Sequence, residues 1–270
     1  MDSDIQVKYH SLKSHLAQLG SVVVAFSGGV DSSLLVKVSR DVLGDRAIAV
    51  TLVSPMIPAW DLDDARIITS RIGIEHILLE EETINPAVRE NAANRCYYCK
   101  KAVCEAIIHI AKEKGFHAVL DGSNADDSRD DRPGAKAIRE LKVISPLQEA
   151  GLNKKEIRQL SKELGLSTWN KPAYACLASR IPYGEEITPG KLNRVERAET
   201  YLHTLGYQEV RVRSHDRIAR IEVKPEDRIR FCDPATMDRV SRQLKEYGFL
   251  YVCLELEGYS RGSLNRKLPS

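Results

Sequence analysis

Five apolar residues in a row, Val22-Val23-Val24-Ala25-Phe26, read as a fully buried strand, and Leu34-Leu35-Val36-Lys37-Val38 begin an amphipathic helix after it. Ahead of them, Ile5, Tyr9, Leu12, Leu16 and Leu19 recur at helical spacing and stop at Gly20, which predicts a leading helix over 4–19. Residues 47–53 form a second buried run. A helix over 60–72 carries Asp in its first turn, as the helix dipole favours. Residues 75–79 read as a third strand, 84–114 as a long helical stretch and 117–121 as a fourth strand. Strands alternating with helices predict an α/β fold, a doubly wound and mainly parallel sheet whose ligands bind beyond the carboxyl ends of the strands.

The second half follows a different pattern. Arg132-Pro133-Gly134 opens a short helix, and 142–147 reads as an edge strand stopped by Pro146. Asn153 and Glu156 form a capping pair for a helix over 154–164 that closes at Gly165. Residues 167–184, with Pro172, Pro182 and Gly184, show neither period and read as a long functional loop or linker. Thr188-Pro189 then starts a helix running to Leu205-Gly206. Residues 209–213 and 218–223 alternate as half-buried strands, and a helix over 234–247 and a strand over 250–256 complete a smaller α+β domain. The expected boundary lies near Tyr183, giving domains 1–182 and 183–270.

Composition narrows the class. With 270 residues, 43% hydrophobic and 29% charged, the chain is an ordinary globular protein able to bury a substantial core. A formal charge of +2 argues against nucleic acid as the main ligand. No apolar run approaches the ~18 residues of a membrane span, and His10, Lys13 and His15 interrupt any signal-peptide core, so a cytoplasmic location is expected. Six cysteines then point to metal or redox chemistry more than to a disulfide frame.

The candidate chemistry begins at Ser27-Gly28-Gly29-Val30-Asp31-Ser32-Ser33, between the first buried strand and its helix. Gly28 and Gly29 can take positive φ and let amides approach an anion, and the helix start adds donors and a positive dipole end. No Lys follows at Walker A spacing. The alternative is an ordinary glycine turn. Asp121-Gly122-Ser123-Asn124-Ala125-Asp126-Asp127 sits at another strand end and should face the same crevice, where its short polar groups suit a ribose or a metal, or else merely cap a helix. Asp31 either caps its helix or holds Mg²⁺ beside a triphosphate. Lys100 and Lys101 could reach phosphates or cover a helix start. Cys96-Tyr97-Tyr98-Cys99 is a C-x-x-C pair and Cys176 lies in the irregular loop; three thiolates suit an iron–sulfur cluster with one open iron better than a four-ligand zinc site. The alternative is small buried residues near a helix start. Cys104, Cys232 and Cys253 read as core. Arg211 and Arg213 share one strand face, where paired guanidiniums grip a phosphate or form a solvated face beside Glu209 and Glu222.

The strand with SGGVDSS resembles the PP-loop of ATP pyrophosphatases, which have a Rossmann-like fold. Together with DGSNADD and its following RPG, the C-x-x-C-K-K segment, NKPAYACLASRIPYG, VRVR and SRQL, the whole chain resembles the LarE family. The resemblance implies a sulfur transferase that adenylates a carboxylate of pyridinium-3,5-biscarboxylic acid mononucleotide with ATP and Mg²⁺, releases pyrophosphate and makes a thiocarboxylate for the nickel-pincer nucleotide cofactor. It implies ATP contacts at Ser27, Gly28, Gly29, Asp31, Ser32, Ser33, Asp121, Ser123 and Asn124, with Cys176, Asp31 and Lys101 in catalysis. It implies acceptor contacts at Ser179, Arg180, Arg211 and Arg213, and it matches Glu199 and Asp238 to acidic positions of the substrate or metal region. Cys96, Cys99 and Cys176 match the type whose [4Fe–4S] cluster carries a labile sulfide, refilled from an external sulfide donor. The other type gives up the sulfur of one cysteine, which ends as dehydroalanine. Homo-oligomers are common in the family, and neither nucleic acid nor membrane is an expected partner.

Two other functions compete. Another PP-loop enzyme, a tRNA thiolase or an ammonia-using synthetase, would need a nucleic-acid platform or a glutaminase partner, and the sequence carries no zinc-ribbon pairs and no glutaminase domain. A non-catalytic nucleotide or metal sensor would leave the irregular 171–183 loop unexplained.

Overall fold

In chain order the elements of the computed structural model are α1 (Ser3–Leu19), β1 (Val22–Ala25), α2 (Val30–Leu43), β2 (Ala47–Val53), α3 (Ala59–Ile72), β3 (Glu75–Glu80), α4 (Pro86–Arg89), α5 (Arg95–Glu113) and β4 (Ala118–Leu120). There follow α6 (Pro133–Glu140), α7 (Pro146–Glu149), α8 (Lys154–Glu163), α9 (Pro189–Thr204), β5 (Val210–His215), β6 (Ile218–Val223), α10 (Arg228–Phe231), α11 (Pro234–Glu246) and β7 (Tyr251–Leu254). Residues 3–129, 133–172 and 175–260 are described; Arg132, Ala173 and Tyr174, which belong to sequence motifs above, lie outside them. The chain divides into two units, Met1–Asn85 with Asn94–Tyr174, and Pro86–Ala93 with Ala175–Ser270.

The first unit is built on a parallel sheet of order β3-β2-β1-β4. Val22, Val23 and Val24 are all fully buried because the strand is covered on both faces. Val22 and Val24 join Leu12, Leu16, Leu34, Leu35, Leu147 and Leu160 on one side. Val23 joins Ile48, Cys104, Ile107 and Ile138 on the other. This is the doubly wound arrangement expected from the alternation of elements. Asn153 caps α8 as its spacing predicts: its side chain accepts from the Glu156 amide at 3.0 Å, and the Asn153 amide donates to Glu156 Oε2 at 2.8 Å.

Several local expectations change. The stretch over 84–114 is not one helix, because Asn91 takes φ 56° and its buried Nδ2 donates to the carbonyls of Ile181, Pro182 and Glu185. That side chain ties α4 into the second unit, while α5 starts afresh at Arg95. Residues 142–147 do not make a strand; Ile144 forms an isolated bridge to Leu120, and Pro146 opens α7, since its ring suits the first turn of a helix. The helix after the glycines begins at Val30, not Leu34, with Gly29 as its N-cap, so Asp31 lies in the first turn rather than capping it. Cys104 is core, but Cys232 and Cys253 are exposed, the first just past a short helix and the second on the edge strand β7.

The second unit carries a mixed sheet of order β5-β6-β7, with β5 and β6 antiparallel and β6 and β7 parallel. β5 is buried over all but its last residue, in place of the half-buried strand expected, because its polar face is covered as well. α9 starts with Pro189 at its first position, as predicted, and the Thr188 hydroxyl accepts from the Lys191 amide.

One consequence for pH follows from β3. His76 lies with Nε2 2.8 Å from Thr51 Oγ1 and Nδ1 3.0 Å from Thr69 Oγ1, and Thr51 in turn donates to the Phe26 carbonyl. Burial, helped by Arg66, pushes the His76 imidazole below its ordinary value of 6.5, so the folded state favours the neutral ring. Its stabilisation is present above the unfolded value and is lost as pH falls through the folded one. His203 and His215 are shifted the same way by burial. Urea midpoints are expected to fall between about pH 7 and pH 5, and His76→Gln should flatten that loss. A wild-type midpoint unchanged across that window would contradict the argument.

Candidate active site

The turn after β1 is shaped by two glycines with different tasks. Gly28 has φ 70°, and an added Cβ there would stand 3.5 Å from the Asp61 carbonyl oxygen and 3.6 Å from Ala65 Cβ. Gly29 has φ −80°, so only the first glycine uses the left-handed region that both could have taken. The loop is tied across by serines: Ser32 Oγ lies 3.2 Å from Ser27 Oγ, accepts the Ser27 amide at 3.3 Å and donates to the Gly29 carbonyl. The Ser33 amide closes on the Gly29 carbonyl at 2.9 Å, and buried Ser33 Oγ has no partner among the described residues. The Val30, Asp31 and Ser32 amides ahead of it have no intrahelical acceptor, which makes this helix start a ready anion site.

The loop after β4 closes against this turn. An atom added at Gly122 would meet the Ser32 amide nitrogen at 3.1 Å, so the two backbones form a cradle that a Cβ would fill. Buried Asp121 accepts from Ser145 Oγ at 2.6 Å and Ser123 Oγ at 2.8 Å, with Lys100 Nζ at 3.4 Å. Asn124 Nδ2 donates to Asp31 Oδ1 at 3.2 Å, and Lys154 pairs with the other oxygen of the same carboxylate. The predicted ATP residues Ser27, Gly28, Gly29, Asp31, Ser32, Asp121, Ser123 and Asn124 therefore gather in one crevice, with Ser33 beneath. Lys101 is not in it: its ammonium sits 5.9 Å from the Tyr97 ring centroid, while Lys100 faces the crevice.

A third lysine is tied to α3, the helix beside Gly28. Lys171 is held between Asp61 at 3.1 Å and Asp64 at 2.7 Å. Burial alone would lower its pKa, but the two carboxylates outweigh it and raise it. Arg158 donates to the carbonyls of Trp169 and Lys171 at 2.7 and 2.9 Å, so the segment entering the irregular loop is anchored beside the helix that contacts Gly28.

Cys96 and Cys99 lie at the start of α5, three residues apart and hence on one face. Cys96 is exposed and Cys99 half-buried, positions that suit exchangeable ligands; Cys104, further along, is fully buried and its thiol is pushed up by burial, which unsuits it. Cys176 belongs to the second unit and is half-buried at the head of the turn Leu177–Arg180. Within each unit, among the described residues, no three His, Cys, Asp or Glu side chains gather at metal-binding distance.

The predicted acceptor residues of the second unit are mostly interior. Arg180 and Glu199 form a buried bidentate pair at 2.9 and 2.8 Å, and Glu199 Oε1 also accepts the Val212 amide at 2.9 Å. Burial would raise the Glu199 carboxyl, but the Arg180 guanidinium outweighs it and holds the carboxyl below its ordinary value. Arg213 donates to Glu222 Oε2 and to the Ser179 carbonyl, both at 2.8 Å. Arg211 stacks 5.1 Å from the Tyr259 ring centroid and donates to the Val210 carbonyl. The VRVR face is thus buried rather than solvated; Glu222 partners Arg213 and Arg220, while Glu209 turns instead to Lys224. Asp238 is exposed on α11, apart from this network.

Lys154 and Ser145 had no signal in the sequence beyond being polar, and Lys171, although part of the NKPAYACLASRIPYG motif, gave no sign of its partners Asp61 and Asp64. Lys154 reads as the first residue of a helix, and its partner Asp31 is 123 positions away.

The description "NAD synthase" names the family model that matches residues 5–108, from α1 into α5. The chain is 46% identical to the uncharacterized protein slr1717 of Synechocystis sp., over 98% of this chain and 99% of that one. It is 40% identical to the pyridinium-3,5-bisthiocarboxylic acid mononucleotide synthase of Lactiplantibacillus plantarum, over 98% of this chain and 96% of that protein. Similarity to the tRNA-specific 2-thiouridylase MnmA of Rhizobium johnstonii is 31% and covers 64% of this chain and 53% of that one. The partial match to the thiouridylase, set against the nearly end-to-end match to the mononucleotide synthase, decides between the two sulfur-inserting alternatives: the chain belongs to the LarE family of PP-loop ATP-dependent sulfur transferases.

Proposed function

We propose that this chain adenylates a carboxylate of pyridinium-3,5-biscarboxylic acid mononucleotide and converts it to a thiocarboxylate, a step toward the nickel-pincer nucleotide. The observation that carries the reading is the loop of residues 27–33 closed against Gly122, in a chain matching the mononucleotide synthase over nearly all its length. The amides around Ser32 would cradle the phosphates of ATP. Asp31 would hold Mg²⁺ beside them, with Lys154 released to a phosphate oxygen. The acceptor carboxylate attacks the α-phosphorus, the bond to the β-phosphate oxygen breaks, and pyrophosphate leaves. Lys100, whose ammonium lies 3.4 Å from Asp121, would steady the charge that develops there in place of Lys101. A sulfur nucleophile then adds to the acyl carbon, and AMP leaves with one of the original carboxylate oxygens.

For the sulfur source we favour Cys96, Cys99 and Cys176 as the ligands of a [4Fe–4S] cluster, whose fourth iron would supply an exchangeable sulfide. Arg211 and Arg213, with Ser179, are assigned to the phosphate side of the acceptor, Arg180 and Glu199 border it, and Asp238 stands at its edge. The enzyme would work as a homo-oligomer in the cytoplasm with an external sulfide donor and without nucleic acid or membrane. No helix among the described residues is long and apolar enough to cross a membrane.

Incubation with ATP, Mg²⁺, sulfide and the pyridinium nucleotide, followed by mass spectrometry, should yield the thiocarboxylate with AMP and pyrophosphate in step. Thiolation of tRNA in its place would restore the thiolase reading. ATP binding without AMP formation would point to a sensor.

A further inference from the structure

We propose that Arg180 and Glu199 are positioning residues: together with Arg213 they clamp the backbone turn that presents Cys176, and act on sulfur transfer through that cysteine rather than by touching the acceptor. The inference deepens the sulfur-transfer reading and rests on it for its meaning, though not for its geometry.

The guanidinium of Arg180 is divided between two jobs. Nε and Nη2 donate to the two Glu199 oxygens, which fixes the plane of the group. Nη1 then donates to the Ala175 carbonyl at 2.6 Å, the Cys176 carbonyl at 3.2 Å and Ser179 Oγ at 2.9 Å, so it holds the carbonyls on both sides of the Cys176 α-carbon. Arg213, itself held by Glu222, takes the Ser179 carbonyl. Two buried guanidiniums, each oriented by a buried glutamate, thus grip five residues that contain the cysteine. Glu199 adds the Val212 amide, so α9, β5 and the cysteine turn share one carboxylate. With Arg180 only 1% and Glu199 0% exposed, neither offers a charged face to a soluble nucleotide. Their donors and acceptors are spent inside the fold. Sulfur transfer needs the sulfur of Cys176, or what it holds, at a fixed distance and angle to the acyl carbon, and a turn free to rotate would lose that alignment.

The test compares wild type with Arg180→Lys and with the double variant Arg180→Met, Glu199→Leu. Lysine keeps a charge opposite Glu199 but cannot match the planar fork and reach both carbonyls. The double variant removes both buried charges at once, a change that folds often tolerate. Iodoacetamide labelling of Cys176 in the iron-free protein, followed by peptide mass, should be about tenfold faster in both variants, because loss of the clamp raises the open population of the turn. The kcat for thiocarboxylate formation should fall about tenfold or more, with KM for the pyridinium nucleotide held. Unchanged labelling, or a rise in that KM with kcat intact, would overturn the proposal and return the pair to the acceptor site. If wild type makes no thiocarboxylate, the functional reading fails alone, and the labelling still decides the clamp. Should neither variant fold, amide exchange in wild type decides: the Ser179 amide, bonded to the Cys176 carbonyl at 3.0 Å, should be protected like the β5 amides. Exchange there at the rate of open chain would refute the clamp.

Discussion

Cys176→Ala is expected to abolish thiocarboxylate formation while ATP-dependent pyrophosphate release persists. The bonds that the structure records at Cys176 are made by its backbone: its carbonyl accepts from the Ser179 amide at 3.0 Å and from Arg180 Nη1 at 3.2 Å. Alanine keeps the carbonyl and the Cβ, so the turn keeps its shape and only the sulfur is lost. Removing a nucleophile or its carrier from other enzymes costs on the order of 10⁴-fold or more in rate, and a loss of that size is expected here. The adenylation half should survive, since its residues belong to the 27–33 loop and the strand-end loop after β4. Product and pyrophosphate measured in the same reaction separate the two halves. Undiminished thiocarboxylate from the variant would remove Cys176 from the chemistry.

The same experiment reports the sulfur source. Cys96→Ala and Cys99→Ala should lose the visible absorption of anaerobically reconstituted protein and its content of about four irons along with sulfur transfer. The intact mass of wild type should be unchanged after turnover. A chain lighter by one H₂S would instead identify a surrendered cysteine sulfur.

How far these sites could be read from the sequence differs by interaction range. Val22 to Phe26 followed by two glycines and a helical period is a local pattern, and it placed the first strand, the turn and α2, with the strand ending at Ala25 instead of Phe26 and the helix starting at Val30 instead of Leu34. The capping pair Asn153 and Glu156 is equally local and is found as expected. Asn91 is the opposite case. It sits in a stretch of helical composition, and what breaks the helix is a set of carbonyls about 90 positions later, so no window around Asn91 contains the cause. Lys154 on Asp31 is of the same kind. Period-two alternation correctly put Arg211 and Arg213 on one face, but alternation carries no information on what covers that face; Tyr259, against Arg211, and Glu222, across the sheet from Arg213, help make it interior. Strands are legible by period, whereas buried ion pairs depend on partners that only the fold supplies.

Gly122→Val should be the most damaging change on the ATP side, lowering kcat/KM for pyrophosphate release by about a hundredfold, since a displacement of roughly 1 Å at a reacting group costs that much. The position needs no unusual backbone, as Gly122 is not among the positive-φ glycines. The obstacle is purely steric: a Cβ would stand 3.1 Å from the Ser32 nitrogen and 3.3 Å from its Cα. Those are backbone atoms in the first turn of α2, and α2 cannot retreat because Leu34, Leu35 and Val36 are fully buried beneath it. The strand-end loop must move instead, carrying Asp121 away from Lys100 and Asn124 away from Asp31. Overpacking of this kind costs about 1–3 kcal/mol, which a domain of this size can absorb, so the variant should fold and lose turnover rather than disappear. Gly122→Ala should fall between wild type and valine. Gly190→Ala is the control, because nothing lies within 4 Å of an added Cβ there, and it should leave turnover unchanged. Steady-state pyrophosphate release against ATP concentration measures all three. A folded Gly122→Val enzyme with wild-type kcat/KM would show that the two loops do not form the phosphate cradle together, and the ATP site would have to be sought elsewhere in the sheet.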